Sequence, residues 1–194
     1  MTLDELRAAI KADPENAAMT DAGWEPLYTA GPGARVVVVG QAPGRKAQES
    51  GVPWRDASGL KLCDWLGVTD EQFHDPNLFA LVPMDFYYPG KGAKGSGDLP
   101  PRPGFAEKWH PLLLGDMPEV RFTILIGAYA QKFYLGARRG KTLTETVRGW
   151  KSYLPEFFPL VHPSPLNFRW QARNPWFQTE LVPELRSVVA AALA

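Results

Sequence analysis

The chain has 194 residues, 45% of them hydrophobic and 12% aromatic, with 19 prolines and 18 glycines. That composition supports one sizeable domain with many shaped loops and excludes wholesale disorder. The 21 basic and 21 acidic residues cancel to a formal charge of zero, which excludes a protein that coats nucleic acid by bulk charge but leaves local patches open.

Taken in chain order, residues 2–12 predict a short helix, with Thr2 as its cap and Glu5 at the capping-box position. The start, "MTLDELRAAIKADPEN", is acidic and amphipathic with no apolar signal core, and no later run is long enough to span a membrane. A cytoplasmic monomer is the expectation. A lead-in segment to residue 34 precedes "VVVV", and a strand over 35–39 is expected because four β-branched residues closed by Gly40 read as buried on both faces. After a Gly/Pro-framed loop, Ala57–Leu66 has apolar residues at helical spacing (Leu60, Cys63, Leu66) and stops at Gly67. Residues 77–83 form a second expected strand.

The loop at 84–104 is long and nearly devoid of aliphatic residues, a length that marks functional or mobile segments. Helix is expected at 105–114, strand at 121–126, and helix from "GAYAQKFYLG" and again over 142–153. The fourth strand covers 157–161 and runs into "HPSPLNFRW", and 180–193 is a terminal helix. Strands alternating with helices predict a three-layer α/β/α fold on a four-stranded, mostly parallel sheet, one domain over residues 1–194. Cys63 is the single cysteine, so no intrachain disulfide and no cysteine-built zinc or iron–sulfur centre can form. His74, His110 and His162 show no HxH or HExxH spacing, and neither metal nor cofactor is expected.

If the strands are parallel, the loops after Val39 and Val161 leave the same edge, where ligands sit in open α/β sheets. Between Gln131 and Asn174 eight cations (Lys132, Arg138, Arg139, Lys141, Arg148, Lys151, Arg169 and Arg173) stand against Glu145 and Glu156 only. Such a run is commonly a solvated face; beside a candidate site it also fits a phosphate-backbone footprint.

The loop Gly40-Gln41-Ala42-Pro43-Gly44, paired with His162-Pro163-Ser164-Pro165-Leu166-Asn167, resembles the uracil-DNA glycosylase superfamily. Supporting similarity runs through residues 51–62, 125–133 and 174–177, in the family's order. The resemblance implies an enzyme that turns a uracil out of DNA and hydrolyses its N-glycosidic bond, with DNA as partner. The chain departs from the family's iron–sulfur branches, whose cysteines it lacks, and from the best-known uracil-specific branch, which has Asp where Ala42 stands.

In that reading His162 donates, as a neutral imidazole, to a carbonyl oxygen of the departing base. Gln41 holds water or the base's edge, with Gly40 and Ala42 lining the approach. Asp56, in "WRDASG", resembles a catalytic aspartate of an iron–sulfur branch and could orient water or stabilise positive charge on the sugar; as plain structure it would be a helix N-cap. Asp85, after the second strand, is a further carboxylate where several relatives place a base-reading Asn. Trp54 stands where relatives stack an aromatic ring on the base.

Ser164, with Ser58 as rival, could bind phosphate through hydroxyl and backbone amide. Pro163 and Pro165 stiffen a loop whose Leu166 is the expected wedge into the base stack, with Phe168 as rival, and in which Asn167 and Arg169 face the DNA. Plain core packing is the competing reading for Trp54, Leu166 and Phe168. Two alternatives remain: a glycosylase for another deaminated base such as hypoxanthine or xanthine, and an inactive nucleotide- or nucleic-acid-binding module. Neither G-x-G-x-x-G nor a P-loop occurs after Val39.

Overall fold

The computed structural model describes residues 2–93 and 97–194. In chain order it contains α1 (Leu3–Ala12), α2 (Ala17–Asp21), β1 (Val36–Val39), α3 (Arg45–Ser50), α4 (Ala57–Leu66), α5 (Asp70–His74) and β2 (Phe79–Leu81). There follow α6 (Phe105–Gly115), β3 (Phe122–Ile126), α7 (Gly127–Leu135), α8 (Leu143–Arg148), β4 (Phe157–Leu160), α9 (Phe168–Arg173) and α10 (Val182–Leu193). The strands form one sheet in the order β2-β1-β3-β4, every pairing parallel.

Alternation along each strand divides the core between the two faces. Val36 and Val38 join Phe79, Leu81, Ile124, Phe158 and Leu160 under α4 and α10. Val37 and Val39 join Ala80, Val82, Leu125 and Phe157 under α1, α6 and α7. All four valines are fully buried, which is why the run carries no polar residue. The order of the strands reverses between β1 and β3, and the crevice outside their carboxyl ends is the place where such sheets bind ligands.

Several boundaries differ from the sequence expectation for identifiable reasons. In α4 the buried stripe is Gly59, Leu62, Cys63 and Leu66, with Trp65 beside it; Leu60, expected inside, is 65% exposed. The expected helix over 142–153 ends at Gly149, and a 3-10 turn, Trp150–Tyr153, follows. That break lets Trp150 pack in one face's core and Tyr153 in the other, which two positions three apart on one helix face could not do. A π-helical turn, Phe177–Leu181, leads into α10. Four short helices, α2, α3, α5 and α9, were not expected.

The 84–104 loop is more tightly packed than its composition suggests. Met84, Phe86, Tyr87 and Tyr88 are buried, and Asp85 is fully buried. Residues 94–96 of that loop lie outside the described residues. No described helix is long and apolar enough to cross a membrane.

His110, buried on α6, holds this loop's root. The Pro83 carbonyl can only accept, so His110 Nε2 donates to it (3.0 Å) and Nδ1 accepts from the Tyr134 hydroxyl (2.7 Å). Burial pushes the imidazole down to about 4 from 6.5. The folded chain therefore keeps His110 neutral while the unfolded chain takes up a proton below pH 6.5. The associated stability is complete above 6.5 and is lost as pH falls towards 4, about 3 kcal/mol across that window. Urea unfolding between pH 7 and pH 4 will show this decline, and a His110→Gln variant will lack it; parallel curves for the two proteins would contradict it.

Candidate active site

The loop after β1 turns at buried Pro43, starts α3 from Gly44 and leaves it through Gly51, whose left-handed backbone (φ 70) ends the helix. Trp54 follows two residues after Val52, with φ 59, the only non-glycine at positive φ among the described residues. A bulky residue in that region stores strain of about 1 kcal/mol or more. Two glycines make the arrangement possible. A Cβ at Gly59 would stand 1.6 Å from the Trp54 carbonyl oxygen, and one at Gly40 would meet the indole Cζ2 at 3.0 Å. The Trp54 ring stacks on the His162 imidazole, with centroids 5.6 Å apart and planes at 28°.

Gly40 and His162, which follow β1 and β4, thus flank one indole at the carboxyl edge of the sheet. Asp56 caps α4 by accepting from the Gly59 amide (2.9 Å). The capping role weighed from sequence is therefore real, and it uses only Oδ1.

His162 is exposed, yet the protein around it withholds enough water to lower its pKa from 6.5; the Asp56 charge acts in the opposite direction. Its tautomer follows from a contact within the loop. Nδ1 accepts from the Ser164 amide (3.1 Å), so the neutral ring carries its hydrogen on Nε2, free to donate.

The rest of the loop is tied to itself. The Leu166 amide donates to Ser164 Oγ (3.2 Å) and the Asn167 side-chain amide donates to the His162 carbonyl (2.7 Å). These ties engage two of the expected site residues. The Ser164 amide is committed to His162 and leaves only the hydroxyl for a phosphate, and the Asn167 amide braces the loop. Leu166 and Phe168 are 85% and 62% exposed, so neither is a core residue. Arg169 lies beside the Phe168 ring, 5.6 Å from its centroid. Pro163 is buried and Pro165 exposed.

Other expected residues stand elsewhere. Asp85 is fully buried and accepts four hydrogen bonds, from the Tyr87 amide and from the Arg102 amide, Nε and Nη2 (2.7–3.1 Å). Arg102 also reaches Asn16 Oδ1 and the Glu15 carbonyl, tying the loop to the N-terminal segment. A carboxylate held in this way braces the loop. Gln41 is half-buried, and its Nε2 donates to the Leu99 carbonyl (2.9 Å) rather than pointing at His162. Ala42 is half-buried beside it, and Ser58 sits in the first turn of α4.

The cationic run divides. Arg138 pairs with Glu156 (3.5 Å) and covers Phe157, the first residue of β4, at the opposite edge of the sheet. Lys132, Arg139 and Lys141 line a cavity of about 480 Å³ with Gly136, at the far end of α7. Only Arg169 and Arg173, on α9, directly follow the His162 loop. Sequence reading missed Gly59 and the Leu99 contact. A glycine one turn into a helix was the available signal for the first; nothing local marks the second.

The sequence profile of the uracil DNA glycosylase superfamily matches residues 28–186. The chain belongs to that superfamily. Its class is thereby a DNA glycosylase, with DNA as partner. Among solved structures, the chain is similar to the solution NMR structure of a candidate uracil DNA glycosylase from Methanosarcina acetivorans, at 16% identity, covering 83% of this chain and 94% of that one with a TM-score of 0.46.

The seating of Trp54 yields a graded expectation. Gly59→Ala, which meets backbone, will destabilise the fold by about 3 kcal/mol or more in urea unfolding, whereas Gly40→Ala, which meets the movable rim of the indole, will cost about 1 kcal/mol. Equal and small effects would show that the indole is not wedged between the two glycines.

Proposed function

We propose that the chain is a monofunctional glycosylase that turns uracil out of DNA and hydrolyses its N-glycosidic bond, leaving an abasic site. The observation that carries this reading is the neutral His162, its Nδ1 occupied by the Ser164 amide and its Nε2–H free beside Trp54. Flipping a base costs a few kcal/mol. Leu166, exposed on a loop braced by two prolines and three internal hydrogen bonds, fills the vacated space, and Phe168 supports it.

As the C1′–N1 bond breaks, its electron pair stays on the base, and His162 Nε2–H donates to the carbonyl oxygen where that charge collects. Positive character grows on the sugar, as in other glycoside transfers. Asp56 uses one carboxylate oxygen to cap α4 and keeps the other for orienting water towards C1′. The attacking water gives its oxygen to C1′ and its proton to Asp56 or to solvent. Gln41 Nε2 is held by Leu99, which leaves Oε1 to accept from water or from an N–H on the base. At 5.6 Å the Trp54–His162 pair is a direct ring contact, so the base meets the indole alongside His162 or parts the pair on entry.

One observation favours a second reading, in which the base is hypoxanthine or xanthine. Asp85, close to where several relatives carry a base-reading Asn, is paired with Arg102 and in this reading contributes nothing to base recognition. Recognition then falls to Gln41 and backbone groups, which discriminate less among carbonyl-bearing bases.

Oligonucleotides carrying uracil, hypoxanthine or xanthine, incubated with enzyme and then cleaved with alkali, separate these readings. Excision of uracil that needs alkali for strand cleavage is the expected result; no abasic product from any of the three sinks the enzymatic reading in favour of a binding module. His162→Ala will lower the single-turnover rate about a hundredfold, and Asp56→Asn, which keeps the cap, will lower it about tenfold or more. Duplex affinity will hardly change in either. Excision will be full at neutral pH and will fall on acidification, with a midpoint below the ordinary histidine value of 6.5, because protonating Nδ1 breaks the Ser164 contact. A rate that rises on acidification would contradict the neutral-imidazole assignment.

A further inference from the structure

His74, the last residue of α5, has no part in the chemistry above. Its Nδ1 lies 2.9 Å from the Asp70 carbonyl oxygen and 3.2 Å from Asp70 Oδ1. Its Nε2 lies 2.9 Å from the Pro53 carbonyl oxygen. Carbonyl and carboxylate oxygens only accept, so each ring nitrogen faces a group that needs a donor. A neutral imidazole has one N–H and would turn a lone pair on one of these oxygens. A hydrogen on Nε2 serves the Pro53 carbonyl, while Nδ1 lies against the backbone and side chain of Asp70. The side chain is 19% exposed and packs edge-on to Phe73.

The Pro53 carbonyl belongs to the peptide plane from which Trp54 makes its left-handed turn. That plane includes the Trp54 nitrogen, so fixing the carbonyl oxygen fixes the starting direction of the φ rotation. The following plane is held from the other side, where the Trp54 carbonyl oxygen lies in the space that a Cβ at Gly59 would take. The indole is thus aimed by two clamped peptide planes, His74 on one and α4 on the other. A strained residue persists only where its surroundings over-determine it.

We infer that His74 is a positioning residue of this site: its Nε2–H grips the Pro53 carbonyl and so keeps the Trp54 indole in register with His162. The inference rests on the reading that Trp54 and His162 form the base pocket.

The test uses full-length protein and whichever oligonucleotide the wild type cleaves. His74→Phe keeps an aromatic ring and removes the donor to Pro53. It will lower the single-turnover excision rate about tenfold with duplex affinity unchanged, and His74→Gln, which retains one donor for Pro53, will lose only about threefold. In a Trp54→Ala background, His74→Phe will cause no further loss, because the two act through one group. An equal fractional loss in both backgrounds, or none in either, overturns the inference. A second measurement does not need turnover. Imidazole 15N spectra will show a hydrogen on Nε2 of His74, and His74→Phe will shift the indole N–H resonance of Trp54 while leaving that of Trp109 in place. A lone pair on Nε2, or an unmoved Trp54 resonance, overturns it. If the wild type releases no base from any oligonucleotide, the proposed function fails by itself, and the two resonances still decide the role of His74.

Discussion

Parallel alignment of four strands, covered on both faces, is the constraint from which the site follows. Every strand then delivers its carboxyl end to one edge, so segments far apart in sequence meet there without any long excursion. The uniform burial of Val36–Val39 sets the direction of β1 and makes Gly40 the first residue free to turn. The same holds for β4, whose last residue is two positions from His162. The ladder between the first two strands continues past their formal ends. The Met84 amide donates to the Gly40 carbonyl and the Asp85 amide to that of Gln41. The floor of the site is therefore an extension of the sheet and shares its rigidity.

On that floor the protein places one strained residue. Trp54 occupies a backbone region that tryptophan ordinarily avoids, and it is held there by what lies around it. Gly40 gives way to its ring and Gly59 to its carbonyl oxygen, while His162 stacks against its face. Neither glycine could carry even a methyl group without displacing something. The strain is local, and the stability that offsets it lies in the two apolar clusters, which have no polar obligations at the edge. Asp56 shows the same economy of position, since one carboxylate oxygen starts a helix and the other remains free within the field of His162.

Much of this could be read from the residues themselves. A run of four valines closed by glycine, the capping box at Thr2, and Gly67 after the last apolar position of α4 are local signals, and each marks an observed boundary. The pairing of the Gly40 and His162 loops was legible through the family resemblance. Features that depend on residues distant in sequence were not. Asp85 looked like a reagent because Arg102, its partner, follows 17 residues later across a loop. Leu60 looked like core because its spacing from Cys63 and Leu66 fits a helix stripe; the true stripe begins one residue earlier, where Gly59 must face Trp54. The short helices α3, α5 and α9 have too few apolar positions to show a period, and they exist because their ends are fixed by the loops they join.

The loop after β4 ties its histidine to its exposed leucine. His162, Ser164, Leu166 and Asn167 form a closed set of hydrogen bonds in which each tie serves another member. Ser164's amide fixes the histidine's tautomer, its hydroxyl receives the Leu166 amide, and Asn167 returns to the His162 carbonyl. Proline at 163 and 165 removes two backbone donors that would otherwise need partners and limits the turns available. In the function proposed above, a force on Leu166 entering a base stack passes through Ser164 to the imidazole rather than being absorbed by bending. Insertion and alignment of the donor are, in that proposal, one motion of one rigid piece. That coupling explains why an exposed leucine can be tolerated there: its side chain is free, but its backbone is among the most constrained segments of the site.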